Sequence, residues 1–334
     1  MEIRKIQRTG GSTYIVSLPK QWADHVGLTS GMNVGITTRP DGSLLISPDI
    51  PSPSPSPTKK QLDVTDRTGD VLVREIIASY IAGFNVIELV SKRITAEQKQ
   101  TIRQITHKLI GPEIVEETAD RMIIQDLLNP VELSLRQSVR RMYLIASSMQ
   151  TDAIHALASS DSDLAMDVSS RDDEVDRLYL LIEKQLRIML RSGQVIDSQK
   201  DMTPDMSLDL SLAAQPIEKI ADHARKIALI TISLKKQLPE DVVRMFKGAG
   251  QSVSKLVENS VESLFSSDID KANNSIEMKM EINKALHAID KKLVTMDPRD
   301  ALHLRIVSDS IDRIGDYGAN IAEIAINSTI SKSL

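Results

Sequence analysis

Two stretches of this chain place acidic residues four positions apart within one repeated pattern, PIEKIADHARKIALI at Pro216–Ile230 and SIDRIGDYGANIAEI at Ser310–Ile324. Aligned without gaps, Ile217, Ile220, Asp222, Ile227, Ala228 and Ile230 recur as Ile311, Ile314, Asp316, Ile321, Ala322 and Ile324. Glu218 becomes Asp312 and Lys219 becomes Arg313, so charge type is kept as well. Residues advance about 100° around an α-helix, which puts positions i and i+4 on one face a turn apart. Glu218 and Asp222 therefore share a face, well round the cylinder from the apolar arc of Ile217, Ile220, Ala221, Ala224, Ile227 and Ala228. Like charges at this spacing destabilise a helix by roughly 0.2–0.5 kcal/mol. A cation or a basic partner that compensates them would explain why the pair occurs twice. The solvated side of an amphipathic helix carries such pairs too, and the duplication weighs against that alternative.

Carboxylate oxygens suit hard or borderline divalent and trivalent cations. The chain has no cysteine, so a metal would be held by oxygen with at most some imidazole. His223 follows Asp222, but Tyr317 takes the matching place, so a packing or solvent role is expected for it. His25, His107, His155, His287 and His303 are isolated in the sequence. Helix-bundle metal sites that run oxygen chemistry use Glu-x-x-His, which neither EKIAD nor DRIGD supplies. With acidic pairs on outer faces and no cleft to divide acid from base work, no enzyme is expected.

The composition must supply elements to carry these pairs. Hydrophobic residues make up 41% of the 334, yet aromatics only 3%, so aliphatic side chains must fill the core, as helix bundles permit. A net charge of −5 excludes a protein that coats nucleic acid generally but leaves room for a small basic patch. The start, MEIRKIQRTGG, has no apolar signal region, and no apolar run approaches a membrane span, so a cytoplasmic location is expected.

Residues 1–48 read as β, with strand-like runs at Glu2–Gln7, Thr13–Leu18, Val34–Thr38 and Ser43–Ile46. Gly10-Gly11, a helical stretch around Lys20–Val26 and the Pro40-Asp41-Gly42 turn separate them. So small a unit has little core, and dimerisation is the cheap remedy. Residues 49–58 hold PSPSPSPT, an extended semi-rigid spacer. Residues 59–130 form a small α/β unit, with helices at Asp70–Ala82 and Thr95–Leu109 and strands at Asn85–Val90 and Arg121–Asp126. From Val131 the pattern is helical: Val131–Leu157, Ser162–Arg191, Leu208–Leu238, Pro239–Phe265, Ile269–Val294 and Pro298–Ser328. Six helices and one repeat predict two three-helix bundles, over 131–238 and 239–330. Gln137 and Gln251 open a shared Gln-Ser-Val in the first helices, and Glu174-Val175 aligns with Glu281-Ile282 in the second.

The first module resembles the AbrB/SpoVT swapped-hairpin family in RKIQRTGGSTYIVSLPKQWADHVGLTSGMNV, with its basic first strand, glycine turn and Ser17-Leu18-Pro19-Lys20 step. Met32 stands where that family usually has an acidic residue. The resemblance implies a pair of interleaved chains. If DNA is bound, Arg4, Lys5, Arg8 and Lys20 are the cations to meet phosphates.

The helical body resembles the PhoU family of phosphate-uptake regulators, two similar three-helix bundles whose E(D)xxxD motifs hold metal clusters. Glu218–Asp222 and Asp312–Asp316 match that motif on the third helix of each half, and Asp172–Asp176 matches it on the second helix of the first half. In the second half Lys279 and Asn283 stand where Asp172 and Asp176 would align, and Glu277 and Glu281 form an acidic pair one register away. The resemblance implies divalent or trivalent metal ions (iron, zinc, magnesium or similar), with Asp172, Asp176, Glu218 and Asp222 the firmer set. The combination of an AbrB-like head, a middle unit and a PhoU-like body resembles regulators of this type found in archaea, and implies a homodimeric, phosphate-responsive regulator that controls phosphate uptake or its transcription, coupled to a DNA-binding head. The alternative is an adaptor that contacts a phosphate-transporter ATPase or a signalling protein, with the head serving only to pair chains.

Overall fold

The computed structural model describes residues 2–38, 42–48, 57–128, 134–192, 202–234 and 236–332, and the chain divides into two compact units, 1–57 and 58–334. The spacer expected over 49–58 lies outside the described residues as far as residue 56. So do Pro40 and Asp41 of the expected turn, and the first three residues of the helix expected from Val131.

In the first unit β1 (Gln7–Thr9) pairs antiparallel with β2 (Thr13–Ile15), and Gly10 takes a left-handed φ of 66° in the turn between them. Helix α1 (Lys20–His25) follows, and then β3 (Gly35–Thr38) pairs antiparallel with β4 (Leu44–Ser47). Strand β1 begins at Gln7 rather than Glu2, because the chain before it has no pairing partner among the described residues. None of the described residues of this unit is buried, and Ile3, Ile6, Tyr14, Ile36 and Leu44 are all exposed.

The second unit opens with a four-stranded sheet in the order β5 (Lys59–Asp63), β6 (Val86–Val90), β8 (Arg121–Asp126), β7 (Pro112–Glu117). Strand β5 runs parallel to β6, and the other neighbours are antiparallel. Helix α2 (Gly69–Ile81) links β5 to β6, and α3 (Ala96–His107) links β6 to β7. Strands β5 and β7 are additions to the sequence reading. KKQLD has one partly covered residue, Leu62, and PEIVEE starts on proline and sets Ile114 beside Val115, so neither sequence alternates apolar with polar, although β7 is covered at every second residue. Thr95 and Gln98 form a capping box at α3, and the buried Gln98 amide donates to the carbonyls of Val64 and Arg67 at 2.7 and 2.8 Å.

Among the described residues six helices follow: α4 (Leu135–Ser159), α5 (Ser162–Ser192), α6 (Pro204–Ser233), α7 (Glu240–Ser266), α8 (Ile269–Leu293) and α9 (Pro298–Ser331). Helix α6 starts four residues earlier than expected, with Pro204 as its first residue behind the Thr203 cap, whose hydroxyl accepts from the Met206 amide. Helices α4–α6 pack together, as do α7–α9, while α6 against α9 and α4 against α7 join the halves. One apolar cluster runs through all six helices, so the two bundles share a core. The arc Ile217, Ile220, Ala221, Ala224, Ile227 and Ala228 is fully inside it. Gly250 on α7 lets α4 approach, since a methyl group there would stand 2.8 Å from Ile154 Cγ1.

The repeat is also written in the loops. Both α4 and α7 end on a serine in the left-handed conformation, Ser160 at φ 57° and Ser267 at φ 58°. An aspartate follows each, Asp161 accepting from the Leu164 amide and Asp268 from the Lys271 amide, both at 2.9 Å. This fixes the structural register between the halves at the same spacing that aligns Glu174 with Glu281.

The sheet unit is bolted to α5 by a buried ion pair. Lys184 reaches Asp126 at the end of β8, and its ammonium lies 4.4 Å from the Tyr80 ring centroid, while the Tyr80 hydroxyl donates to the Ile110 carbonyl at 3.0 Å. Burial pulls the Lys184 ammonium below the usual lysine range, and its bond to Asp126 opposes that shift. Removing one partner of a buried pair strands the other charge, at a cost of about 3–5 kcal/mol. Lys184→Ala should lose stability on that scale in urea unfolding, and Lys184→Met with Asp126→Asn should lose clearly less. Equal losses would show that the pair does not clamp the unit.

Candidate functional site

Helix α5 presents Val168, Val175, Leu178 and Ile182 to the core, and Asp172 falls in the same stripe, three residues before Val175 and four after Val168. Its side chain is only 7% exposed. On the adjacent α6, Glu218 is also largely covered at 14%, while Asp222 reaches solvent at 39%. The acidic set is therefore half sunk between the two helices rather than displayed on an outer face as its spacing predicts. Asp172 is the residue that departs most, because periodicity places it among core positions that its chemistry disfavours.

Two cations answer four carboxylates. Arg225 Nη1 lies 3.1 Å from Asp172 Oδ2. Lys219 Nζ lies 2.9 Å from Asp222 Oδ2 and 3.1 Å from Glu218 Oε2. Asp176 makes no ion pair among the described residues. Asp172, Asp176, Glu218 and Asp222 against Lys219 and Arg225 leave a formal excess of two negative charges. Neighbouring Asp173 faces outward to Lys108, just past α3, at 3.0 Å.

Burial and that excess together set the electrostatics. Burial, then the charges of Asp172, Glu218 and Asp222, push the Asp176 carboxyl up to about 6. Burial raises Asp172 too, helped by Asp222 and opposed by Arg225. Glu218 is raised by burial against the hydrogen bond from Lys219. Lys219 is held well above the usual lysine range, chiefly by its bond to Asp222. The carboxyls are thus raised first by burial and then, for Asp172 and Asp176, by neighbouring carboxylates, while Lys219 is raised by its bonds to Asp222 and Glu218.

Among the described residues no group of three or more histidine or carboxylate side chains is already arranged to hold a metal ion. The donor set nonetheless fits one. It is all oxygen, it is short of positive charge, and both resident cations are tethered on partly exposed side chains, Arg225 at 47% and Lys219 at 38%. Asp172, Asp176, Glu218 and Asp222 would hold the ion once those cations turn outward. The ion would supply the charge that Lys219 and Arg225 supply only in part. Arg225 escaped the sequence reading, although its position one turn beyond Asp222 is the available signal.

The other expected residues are arranged differently. Asp312 and Asp316 on α9 meet a lysine, Lys279 of α8. Glu277 and Glu281 are exposed, and Glu281 pairs with Lys284 at 2.7 Å, so neither is the α8 side chain that reaches the acidic pair of α9. His223 is half-buried against Tyr317, its repeat counterpart, with ring centroids 5.9 Å apart, and burial lowers its pKa. In the first unit Arg4, Lys5, Arg8 and Lys20 are exposed; Arg4 pairs with Glu2, and Arg8 donates to the Gly11 carbonyl.

A carboxyl raised from 3.8 to about 6 costs the folded state stability that grows as pH climbs through that window and is complete above it. In chelator-treated protein, Asp176→Asn should therefore exceed wild type in unfolding free energy at pH 7 by on the order of 1–2 kcal/mol after allowance for solvent screening. The gap should close toward pH 4. A gap that is absent, or equally large at both ends, would remove the raised Asp176 carboxyl as its cause.

The profile of the PhoU domain matches residues 139–231 and 246–325, just over half of the chain. A profile described as "Antidote-toxin recognition MazE, bacterial antitoxin" matches residues 7–55. A relative from Zymomonas mobilis, named phosphate-specific transport system accessory protein PhoU homolog, is 26% identical over 60% of this chain and 85% of its own length. One of the same name from Caulobacter vibrioides is 29% identical over 57% and 84%. The crystal structure of PhoU from Pseudomonas aeruginosa superimposes with a TM-score of 0.52 at 25% identity, covering 59% of this chain and 96% of that one. Members of this group are regulatory accessory proteins rather than enzymes. With two matched domains and a motif-bearing helix in each, the chain belongs to the PhoU family and carries a MazE/AbrB-type domain ahead of its bundles.

Proposed function

We propose that this chain is a cytoplasmic, metal-dependent regulator of phosphate uptake, divided as 1–48 head, 49–58 spacer, 59–130 α/β unit, 131–238 first bundle and 239–330 second bundle. The observation that carries the reading is the uncompensated first-bundle cluster of Asp172, Asp176, Glu218 and Asp222 in a chain of the PhoU family. A divalent or trivalent ion there, such as iron, zinc or magnesium, would complete the charge balance and tie α5 to α6. An oxygen-held ion of that kind also keeps positions for water or phosphate oxygens.

The relatives are accessory proteins of phosphate-specific transport, so the regulated target is that uptake system. Control runs through its transcription, with Arg4, Lys5, Arg8 and Lys20 of two paired heads on duplex phosphates. A second reading has its own support. With none of its described residues buried, the head needs cover from another copy, and pairing alone would give it a role while the bundles contact a transporter ATPase or signalling protein.

Elemental analysis of protein purified without tag or chelator should find bound metal in wild type, and Asp172→Asn with Asp222→Asn should lose most of it. Equal content in both would sink the metal reading. For the head, Arg4→Ala with Arg8→Ala should flatten the dependence of log affinity on log salt by about 0.9 for each phosphate that is no longer neutralised. An unchanged slope would leave the head as a pairing device only.

A further inference from the structure

In the second bundle the acidic pair is already answered by the protein. The Lys279 ammonium donates to the Asp312 carbonyl at 2.9 Å, to the Asp312 carboxylate, and lies 2.9 Å from Asp316 Oδ1. An ammonium has three N–H donors; two meet oxygens of Asp312, and the charge also lies within ion-pair distance of Asp316. Lys279 occupies a core-stripe position of α8, between buried Ser275 and Ile282, and its side chain is only 13% exposed.

The repeat register shows that this lysine is one of three matched exchanges. On the middle helix Lys279 replaces Asp172, in the stripe where Ser275, Ile282 and Ile289 replace Val168, Val175 and Ile182, all of them buried. On the third helix Ala319 replaces Arg225, the cation that Asp172 needs and a lysine would repel. Gly315 replaces Ala221, and a methyl group at Gly315 would stand 3.0 Å from Lys279 Cδ, 3.2 Å from Cε and 3.3 Å from Nζ. Glycine is a poor helix former, yet it sits mid-helix in α9 where the lysine stem must cross. A carboxylate with an arginine has become a lysine with room made for it.

We propose that Lys279 is a built-in cation that takes the place of a metal ion at the Asp312–Asp316 pair, so that the chain has one ion-responsive bundle and one ion-independent bundle. Two carboxylates meet the covered Lys279, with Arg313 3.5 Å from Asp316, so the Asp312–Asp316 pair itself carries no net negative charge to recruit an ion. An incoming ion would also have to expel a side chain that its own helix holds in place. The lysine lock stands on the geometry alone, whereas the contrast between bundles rests on the metal reading of the first.

Both parts can be tested in the full chain. In chelated buffer, Lys279→Met should lower the melting temperature by several degrees, and Asp312→Asn with Asp316→Asn in that background should restore at least half of the loss. Strictly additive effects would overturn the lock. With the first cluster disabled by Asp172→Asn and Asp222→Asn, Mn²⁺ and Zn²⁺ should neither bind nor raise the melting temperature while Lys279 is present. Lys279→Asp with Gly315→Ala, added to that background, should gain about one ion per chain and a metal-dependent rise; Lys279→Gln with Gly315 kept is the milder variant should the first fold poorly. Metal bound at Asp312 and Asp316 with Lys279 intact would overturn the proposal, as would failure of both variants to gain any. A wild type that binds no metal, combined with full recovery in the melting series, would sink the first-bundle reading and leave the lysine lock standing.

Discussion

Two carboxylates one turn apart on a helix that is otherwise packed into a core cannot be left to themselves. Water screens a like pair on a free helix, but here a neighbouring helix covers part of each pair, and screening weakens as cover grows. The architecture around α6 and α9 is organised by this demand. Each bundle brings a charge-bearing position on its middle helix opposite the pair, at the same point in the repeat, and the two halves fill that position with opposite signs. In the first, Asp172 deepens the deficit and Arg225 and Lys219 only partly meet it. In the second, Lys279 closes it.

How much of this could be read beforehand depended on whether a residue's role lay in its own periodicity or in its neighbour's. The apolar arc of the repeated helix was legible because the core needs a contiguous stripe, and all six of its positions are buried. Pro239 and Pro298 marked helix beginnings, since a missing amide costs nothing there, whereas the helix read from Leu208 in fact begins at Pro204. Strands β5 and β7 were not legible: they flank the sheet, one face of each meets solvent, and their sequences carry charge where a central strand carries valine or isoleucine.

Within the candidate site the acidic residues were legible and their depth was not. Asp172 follows the core period of α5, but a carboxylate in an apolar stripe reads as an error in the pattern until Arg225 is seen reaching across from α6. Lys279 poses the same difficulty with the sign reversed. Alignment could show that it replaces an aspartate, but only packing shows that its stem passes over Gly315 to span two carboxylates. The spacing expressed an outward ridge; the helix–helix contact turned it into a seam.

The first unit raises a question of amount rather than arrangement. Its apolar side chains, Ile3, Ile6, Tyr14, Ile36 and Leu44 among them, are open to water. If a second copy shelters this module, as proposed above, it obeys mass action, so the fraction that is properly folded would rise with protein concentration. The helical body, with its own continuous core, has no such dependence. The cell's stock of this chain would then be a signal in its own right: at scarcity the bundles would persist with their heads unformed, and abundance alone would switch the heads on.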